Sequence, residues 1–383
     1  MTATELLTRR NADLGEIVEV LRAQQSAKLD VVTPASNLRV ADGALRVAGA
    51  DHELSMDGVA TCDAVLNPTA SADADLATKL DIPLPYLRRM RQAKTDLYDA
   101  NVNAWLADRP ERRFLVRGLR DTASATPGVL RALLSDSYRI VDNLDILMAV
   151  LDGIRRTDVQ AEVTQADLTE SRMYVKVASR QVAEMAPELL AGYRSPFTGA
   201  CGAENPLVFA GFVVSNSETG RGRFTITPQL VVQVCNNGMT INHHALSEVH
   251  LGGKLDEGRI RWSTDTHAAA LDLVGKKARD AVATFLDRDF VRAQLHEITA
   301  SAGIAISAPA ETIEHVAKKL NFTSEQQDAI LADFISGGAC TSGGVLHAVT
   351  SAAQRLPDAD AAYEMERQGL RAMSLAATYA ITR

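Results

Sequence analysis

The sequence predicts an α+β fold: a mixed, mainly antiparallel sheet with packed helices, followed by an all-helical C-terminal part. Three observations lead to it. Short apolar or alternating runs closed by glycine, proline and asparagine recur through the first two thirds, as strands and tight turns require. Helical periodicity takes over from His267 and persists to the end. Between them, Leu207 to His244 holds the strongest pattern in the chain. The matching division is residues 1–265 as an α+β core domain, with a helical hairpin inserted at about 70–108, and 266–383 as a helical domain.

Within the strongest stretch, Leu207 to Val214 is a near-continuous apolar run and reads as a buried strand. Ser215 to Gly222 is polar and reads as a hairpin loop, and Arg223 to Thr227 alternates as a return strand. Thr227 and Pro228 fit the N-cap and first position of a short helix, with Leu230/Val234 and Val231/Cys235 four apart and Asn237-Gly238 as its stop. Met239 to His243 resumes an extended pattern.

Upstream, Thr4 to Lys28 reads as an amphipathic helix, and Leu29 to Met56 as small strands. Ala70 to Lys94 reads as two helices joined at Asp81-Ile82-Pro83, capped first by Ser71 or Asp73 and opened again by Pro83 or Pro85. Asn101 to Leu106 continues helical, with Trp105 as a core anchor. Arg113 to Gly118 is a strand, and Ser137 to Leu151 a short strand running into a helix capped by Asp142 or Asn143. Val159 to Val163 and Met173 to Val177 form an antiparallel hairpin, and Gln181 to Glu204 a helix followed by a long loop. Arg259 to Trp262 reads as a short strand. Helices follow at His267–Leu286, Ala310–Leu320, Ser324–Ile335, Val345–Leu356 and Ala361–Ala377, with Ser324 and Gln327 at capping-box spacing.

Composition bounds the function. The formal net charge of −8 argues against a chain that coats DNA over its whole surface, but leaves room for a local basic groove. The four cysteines form no CxxC pair, which fits a reducing cytoplasm and supplies no metal framework. No run approaches the length of a membrane span, so a cytoplasmic protein with no membrane partner is expected.

Chemical motifs are sparse. The glycine-rich Gly338 to Val345 segment lacks the Lys-Ser/Thr pair of a nucleotide loop. His243, His244 and His250 lie near Cys235, but adjacent strand histidines point to opposite faces, so no metal site is assigned. Ser215, Ser217 and Ser342 lie outside any strand-to-helix nucleophile elbow, and Glu162, Glu170, Glu204 and Glu218 form no evident catalytic pair. No catalytic residue and no cofactor is assigned. The basic residues are the exception. From Arg88 to Arg120 there are nine Lys/Arg against four Asp/Glu, in an otherwise acidic chain. The nucleic-acid-binding candidates are Arg88, Arg89, Arg91, Lys94, Arg113 and Arg117, with Arg221 and Arg223 from the hairpin loop and Lys276, Lys277 and Arg279 from the first C-terminal helix.

Several segments together carry a family resemblance: VVSNSETG, the Pro228 to Gly238 run ending in VCNNG, LDIPLPYLRRM with NVNAWL after it, SYRIVDN, GGVLHAVTSAA and YEMERQGLRAM. On these the chain resembles the phage/plasmid-like protein family, domain of unknown function 932, over nearly its whole length. One departure is local: Trp262-Ser263 stands where the family leads one to expect a basic or histidine-containing pattern. The resemblance implies a phage, prophage or plasmid carrier and gene neighbours in replication, recombination and anti-restriction. It implies no established reaction. The first functional expectation is a DNA-associated protein, a single-strand-binding or annealing accessory factor that forms homo-oligomers. The alternative is a protein-binding module whose acidic surface occupies a host restriction or defence enzyme, or another DNA-processing protein.

Overall fold

The structure, a computed structural model, describes residues 3–50, 53–55, 58–60, 62–120, 127–138, 140–234, 238–242, 245–248 and 264–382. In chain order, β1 (Arg9–Ala12), α1 (Leu14–Ala27) and β2 (Lys28–Pro34) lead to the short strands β3 (Leu38–Ala41), β4 (Ala44–Val47), β5 (Glu53–Ser55), β6 (Gly58–Ala60) and β7 (Ala64–Pro68). Helices α2 (Ala70–Leu80), α3 (Leu84–Ala93) and α4 (Thr95–Asp108) come next, then β8 (Arg113–Leu119), β9 (Gly128–Ser135) and α5 (Asn143–Arg155). β10 (Glu162–Leu168), β11 (Met173–Met185), α6 (Pro187–Leu190), β12 (Leu207–Asn216), β13 (Phe224–Val232), β14 (Gly238–Thr240) and β15 (Leu246–Glu248) complete the strand-bearing part. Helices α7 (Thr264–Phe285), α8 (Arg288–Ala302), α9 (Pro309–Leu320), α10 (Ser324–Gly337), α11 (Ser342–Gln354), α12 (Ala359–Glu366) and α13 (Gly369–Ile381) close the chain. The α+β class and the helical C-terminal part are as the sequence predicts.

The strands form two principal sheets. Sheet I has the order β1-β10-β11-β12-β13-β14, with β15 also on β13. Sheet II has the order β2-β8-β9-β7-β4-β3 and is antiparallel except where β7 runs parallel to β9. One face of sheet I, with Val175, Phe212, Val214 and Leu230, packs into a core shared with Ile17 of α1, Val150 of α5, Val282 of α7 and Leu346 of α11. That core draws on residues from both sides of position 265. Sheet II has its own core, in which Leu66, Val116 and Leu130 meet Leu76, Leu87 and Tyr98 of the helices α2 to α4. Ile313, Phe334, Val349 and Ala376 of the C-terminal helices make a third. No helix among the described residues is long and apolar enough to cross a membrane.

Several local expectations change. The largest change is at Pro228: β13 runs straight through it to Val232, and the helix expected there is absent. The carbonyl of Pro228 accepts from the Ile241 amide at 2.9 Å, so this residue's polar edge faces the side where β14 and β15 stop short of each other. The missing N–H lies on that same edge opposite Ile241, so proline forgoes only the reciprocal bond of that pair, while β13 keeps its pairing with β12. At the N-terminus, β1 interrupts the expected helix, and α1 starts only after Asp13, whose carboxylate accepts from the Glu16 amide in a capping box. Thr69, rather than Ser71 or Asp73, caps α2, while Pro83 stands at the N-cap of α3 and Pro85 in its first turn, as expected. Trp105 is 49% exposed and not a core anchor, because α4 turns Tyr98, Val102 and Leu106 inward instead. Residues 137, 138 and 140–142 form no strand, and α5 begins at Asn143. β11 continues to Met185, across a bulge between Ser179 and Ala183, where a helix was expected from Gln181. The capping box of α10 is Thr323 with Gln326, one residue earlier than predicted. The last helix is two, divided at Arg367-Gln368. The strand expected at Arg259 to Trp262 lies outside the described residues.

The β3 edge of sheet II is closed by side chains of α4. Asn103 accepts from the Val40 amide at 2.7 Å and donates to the Val40 carbonyl at 2.8 Å, so one amide side chain stands in for a neighbouring strand. Asp99 accepts from the Asp42 and Gly43 amides in the same way. Asn103→Ala is therefore expected to destabilise the protein by about 1–3 kcal/mol through the orphaned Val40 groups, read as a lower urea midpoint with an unchanged slope.

Candidate nucleic-acid interface

The SNSETG loop, read as a polar hairpin loop, does join β12 to β13, and it is buried. Ser215, Asn216, Ser217, Glu218 and Thr219 are all 8% exposed or less. The loop projects from sheet I into the junction with sheet II and is held there by polar contacts. Glu218 accepts from Arg131 of β9 at 2.7 Å, from the Asn143 amide at the start of α5 at 2.6 Å, and lies 3.4 Å from Arg117 of β8. Arg117 donates to Asp142 at 2.5 Å and stands 3.5 Å from Asp30. Lys28 also donates to Asp142, at 2.8 Å. Asn216 donates to the Val141 carbonyl and to Asn143, both at 2.9 Å. The three cations Lys28, Arg117 and Arg131 thus face the three carboxylates Asp30, Asp142 and Glu218, and the cluster is neutral.

The charges are arranged against a strong desolvation cost. Burial pushes the Glu218 carboxyl up, but Arg131 and Arg117 outweigh it and the net direction is down. Asp142 behaves alike, lowered overall because Arg117 and Lys28 overcome its burial. Asp30, with the weaker contact, is raised because burial wins. Burial alone would lower Arg117, but the three carboxylates raise it further than burial depresses it.

This overturns one candidate outright. Arg117 is 2% exposed and enclosed by carboxylates, so it presents no charge to a phosphate. The other candidates divide among separate places. Arg88, Arg91 and Arg221 converge on the first turns of α2: Arg88 donates to the Ala70 carbonyl at 3.2 Å, Arg91 to Asp73 at 2.6 Å, and Arg221 to Asp75 at 2.6 Å and the Ser71 carbonyl at 2.7 Å. Arg91 and Arg221 are therefore engaged in ion pairs rather than open to solvent. Arg89, Lys94, Arg113 and Arg223 are exposed, and Arg113 donates to the Val32 carbonyl at 3.2 Å. On α7, Lys276 pairs with Asp272 at 2.7 Å and Arg279 lies 3.8 Å from Asp280, while Lys277 is half-buried. The sequence candidates do not share one groove.

A basic cleft does form, from residues the sequence reading left outside its candidates. It measures about 170 Å³ and lies at the far end of α2, lined by Lys79, Trp105, Arg109, Arg112 and Phe114 together with Asp81 and Asp108, the last 3.9 Å from Arg109. At 1.5 Å per residue, Lys79 sits roughly 14 Å along α2 from the Arg88 contact at Ala70. Trp105 and Arg109 are one helical turn apart and face the cleft together. The Arg112 guanidinium stacks 5.0 Å from the centre of Phe114 and donates to the Lys79 carbonyl at 2.7 Å, which fixes it at the wall. Burial, together with the nearby Arg112 charge, lowers the Lys79 ammonium. A cation so placed gains from an anion brought into the cleft. The signal available in sequence was Trp105 four residues before Arg109, hidden because an apolar aromatic on a helix reads first as core.

No group of three or more potential metal ligands occurs among the described residues, and His243, His244, His250 and Cys235 lie outside them. The glycine segment before α11 is packed against α8, with Gly343 and Gly344 buried and Thr341 capping the helix. Compared with family models, curated proteins and solved structures, the chain matches none.

Glu218→Gln is expected to cost about 3–5 kcal/mol, since Arg117 and Arg131 would remain buried with too little opposing charge. Asp30→Asn is expected to cost less than about 1 kcal/mol, because burial already disfavours its ionised form. The lowered Glu218 and Asp142 stabilise the fold above their ordinary values of 4.5 and 3.8, and that contribution is lost as pH falls through their lower folded values. Urea midpoints between pH 3 and 7 should show a steep acid-side fall in the wild type and a flatter one in Glu218→Gln.

Proposed function

We propose that the chain is a phage- or plasmid-borne, nucleic-acid-associated protein of the bacterial cytoplasm that engages single strands through the Trp105 cleft. The observation that carries this reading is the meeting of Lys79, Arg109 and Arg112 around one exposed indole. Single-strand binders combine cations that follow the backbone with an aromatic face on which a base stacks, and this cleft has both. The exposed Arg113 at the start of β8 adds a further cation close in sequence to the wall. The family resemblance supplies the carrier and its replication and recombination setting. The acidic net charge limits the contact to this patch, so the affinity falls in the weak, salt-sensitive range and no strong sequence preference is called for.

Trp105 offers its own readout. Titration with an oligothymidylate at low salt should quench its fluorescence, with a dissociation constant on the order of micromolar. With three cations engaged, the slope of log K against log salt should be about −2. Trp105→Ala should weaken binding by about 1–3 kcal/mol and Arg109→Ala should flatten the salt slope, both with unchanged unfolding midpoints because the two side chains are exposed. Absence of any shift with a labelled oligonucleotide at micromolar protein would remove this reading and leave the protein-binding alternative, tested by recovery of a stoichiometric partner.

A further inference from the structure

The outer face of sheet I, opposite its main core, is only partly covered. At one end α12 lies on it, with Ala359 and Tyr363 against Tyr174 and Val213. Beyond that end is a cavity of about 410 Å³ lined by strands β10 to β13. We propose that this trough is a binding site for a small planar heteroaromatic ring.

The shape argument starts from the register. Glu162, Ala178, Gly211, Gln229 and Thr240 are paired in one row across five strands and so share a face. The middle of that row carries one methyl group and one hydrogen. A side chain at Gly211 is excluded, because a Cβ there would stand 2.5 Å from the Val177 carbonyl oxygen. The rows on either side are taller: Lys176 and Val213 on one, Phe209 and Val231 on the other. Same-face rows are about 7 Å apart, so the low row opens a slot about 13 Å between its flanks, the breadth of one ring system lying flat on the strands. The volume falls within the range of small-molecule pockets, about 300–1,000 Å³.

The walls select the chemistry. Phe209, Val231 and Ala178 form a buried apolar side, and the Arg180 guanidinium is held 5.5 Å from the Phe209 ring centre. The opposite side is polar, with Gln165 and Lys176, and Gln229 lies beyond Gly211 in the low row. Lys176 donates to Glu366 of α12 at 2.5 Å, which uses one of three ammonium donors, and Gln229 donates to the same carboxylate. Glu366, 4% exposed, thereby fixes both side chains in place. A flat ring with one apolar edge and one edge of nitrogen and oxygen atoms complements these two walls together; an aliphatic chain or a sugar complements only one. A second cavity of about 220 Å³ shares Gln165 and Lys176 and continues beneath α12 toward Arg10 and Tyr174, which leaves room for a polar substituent.

The test uses calorimetry on the full chain with adenosine, cytidine and nicotinamide as probes. Binding of at least one probe at millimolar concentration or below is expected. Thr164 stands exposed on the rim, so Thr164→Trp should fill the trough without entering the core and weaken that binding by at least about tenfold. Arg180→Ala, at another exposed position, should weaken it by about threefold and serves if the first variant misfolds. Trp105→Ala should leave it unchanged, which separates this site from the cleft proposed above. The inference is overturned if none of the three probes binds, or if the bound probe is indifferent to Thr164→Trp and Arg180→Ala.

Discussion

The contact on which the two sheets depend is the carboxylate of Glu218 held between two guanidinium groups. Glu218 comes from a loop of sheet I, Arg117 and Arg131 from neighbouring strands of sheet II, and the Asn143 amide from the start of α5. Three elements are joined through one residue. Such a joint is worth little as net attraction, because each buried ion loses its water. Its strength is conditional: removal of Glu218 would leave Arg117 and Arg131 in a low-dielectric interior with too little opposing charge. A joint of this kind fixes register and orientation more than it adds stability. Asp142 shows the same economy of position. It stands at the N-cap of α5 without a side-chain cap bond, because Lys28 and Arg117 occupy its oxygens.

The cluster also governs where positive charge can appear. Arg117 is enclosed at the sheet junction, and Arg221 is drawn from the hairpin loop to Asp75 on α2, alongside the Arg91–Asp73 pair. These arginines tie the hairpin loop and the helices α2 to α4 to one another. Of the cations between Arg88 and Arg120, Arg109 and Arg112 line a concavity, with Lys79, at the opposite end of α2. Asp81 and Asp108 line the same cleft, so its net positive charge is small. The outer face of sheet I is a different kind of surface. Its side-chain-poor strip is set by backbone pairing, and its polar wall is locked from above by a helix from the last part of the chain.

Much of the architecture was legible in the residues. The helical hairpin at Ala70 to Asp108, the strands at Arg113 and Leu207, and the change to helices after residue 264 all follow from periodicity and from Pro83, Pro85 and their neighbours. Pro228, by contrast, reads as a helix opener, and became a strand residue because its missing donor forgoes only the reciprocal bond to Ile241 while β13 keeps its pairing with β12. Trp105 reads as core, and lies outside because α4 had enough apolar side chains without it. The SNSETG segment reads as a polar hairpin loop, and is buried because Arg117, Arg131 and Ser171 supply its polar partners. For the SNSETG segment the deciding neighbours are remote in sequence; for Trp105 they lie on its own helix.

By itself, then, the sequence determined most of the element types, the succession of a strand-bearing part and a helical part, and an excess of cations between Arg88 and Arg120. These depend on interactions over a few residues, where the period of the chain is its own signal. Only the tertiary structure decided which cations face solvent and which face carboxylates. Charge carries no mark of its partner: Arg109 and Arg117 are the same residue eight positions apart, one at an open cleft and one sealed among three acids. That outcome is set by the strand register and sheet contact that bring Asp30, Asp142 and Glu218 to a single point, and no local pattern encodes it.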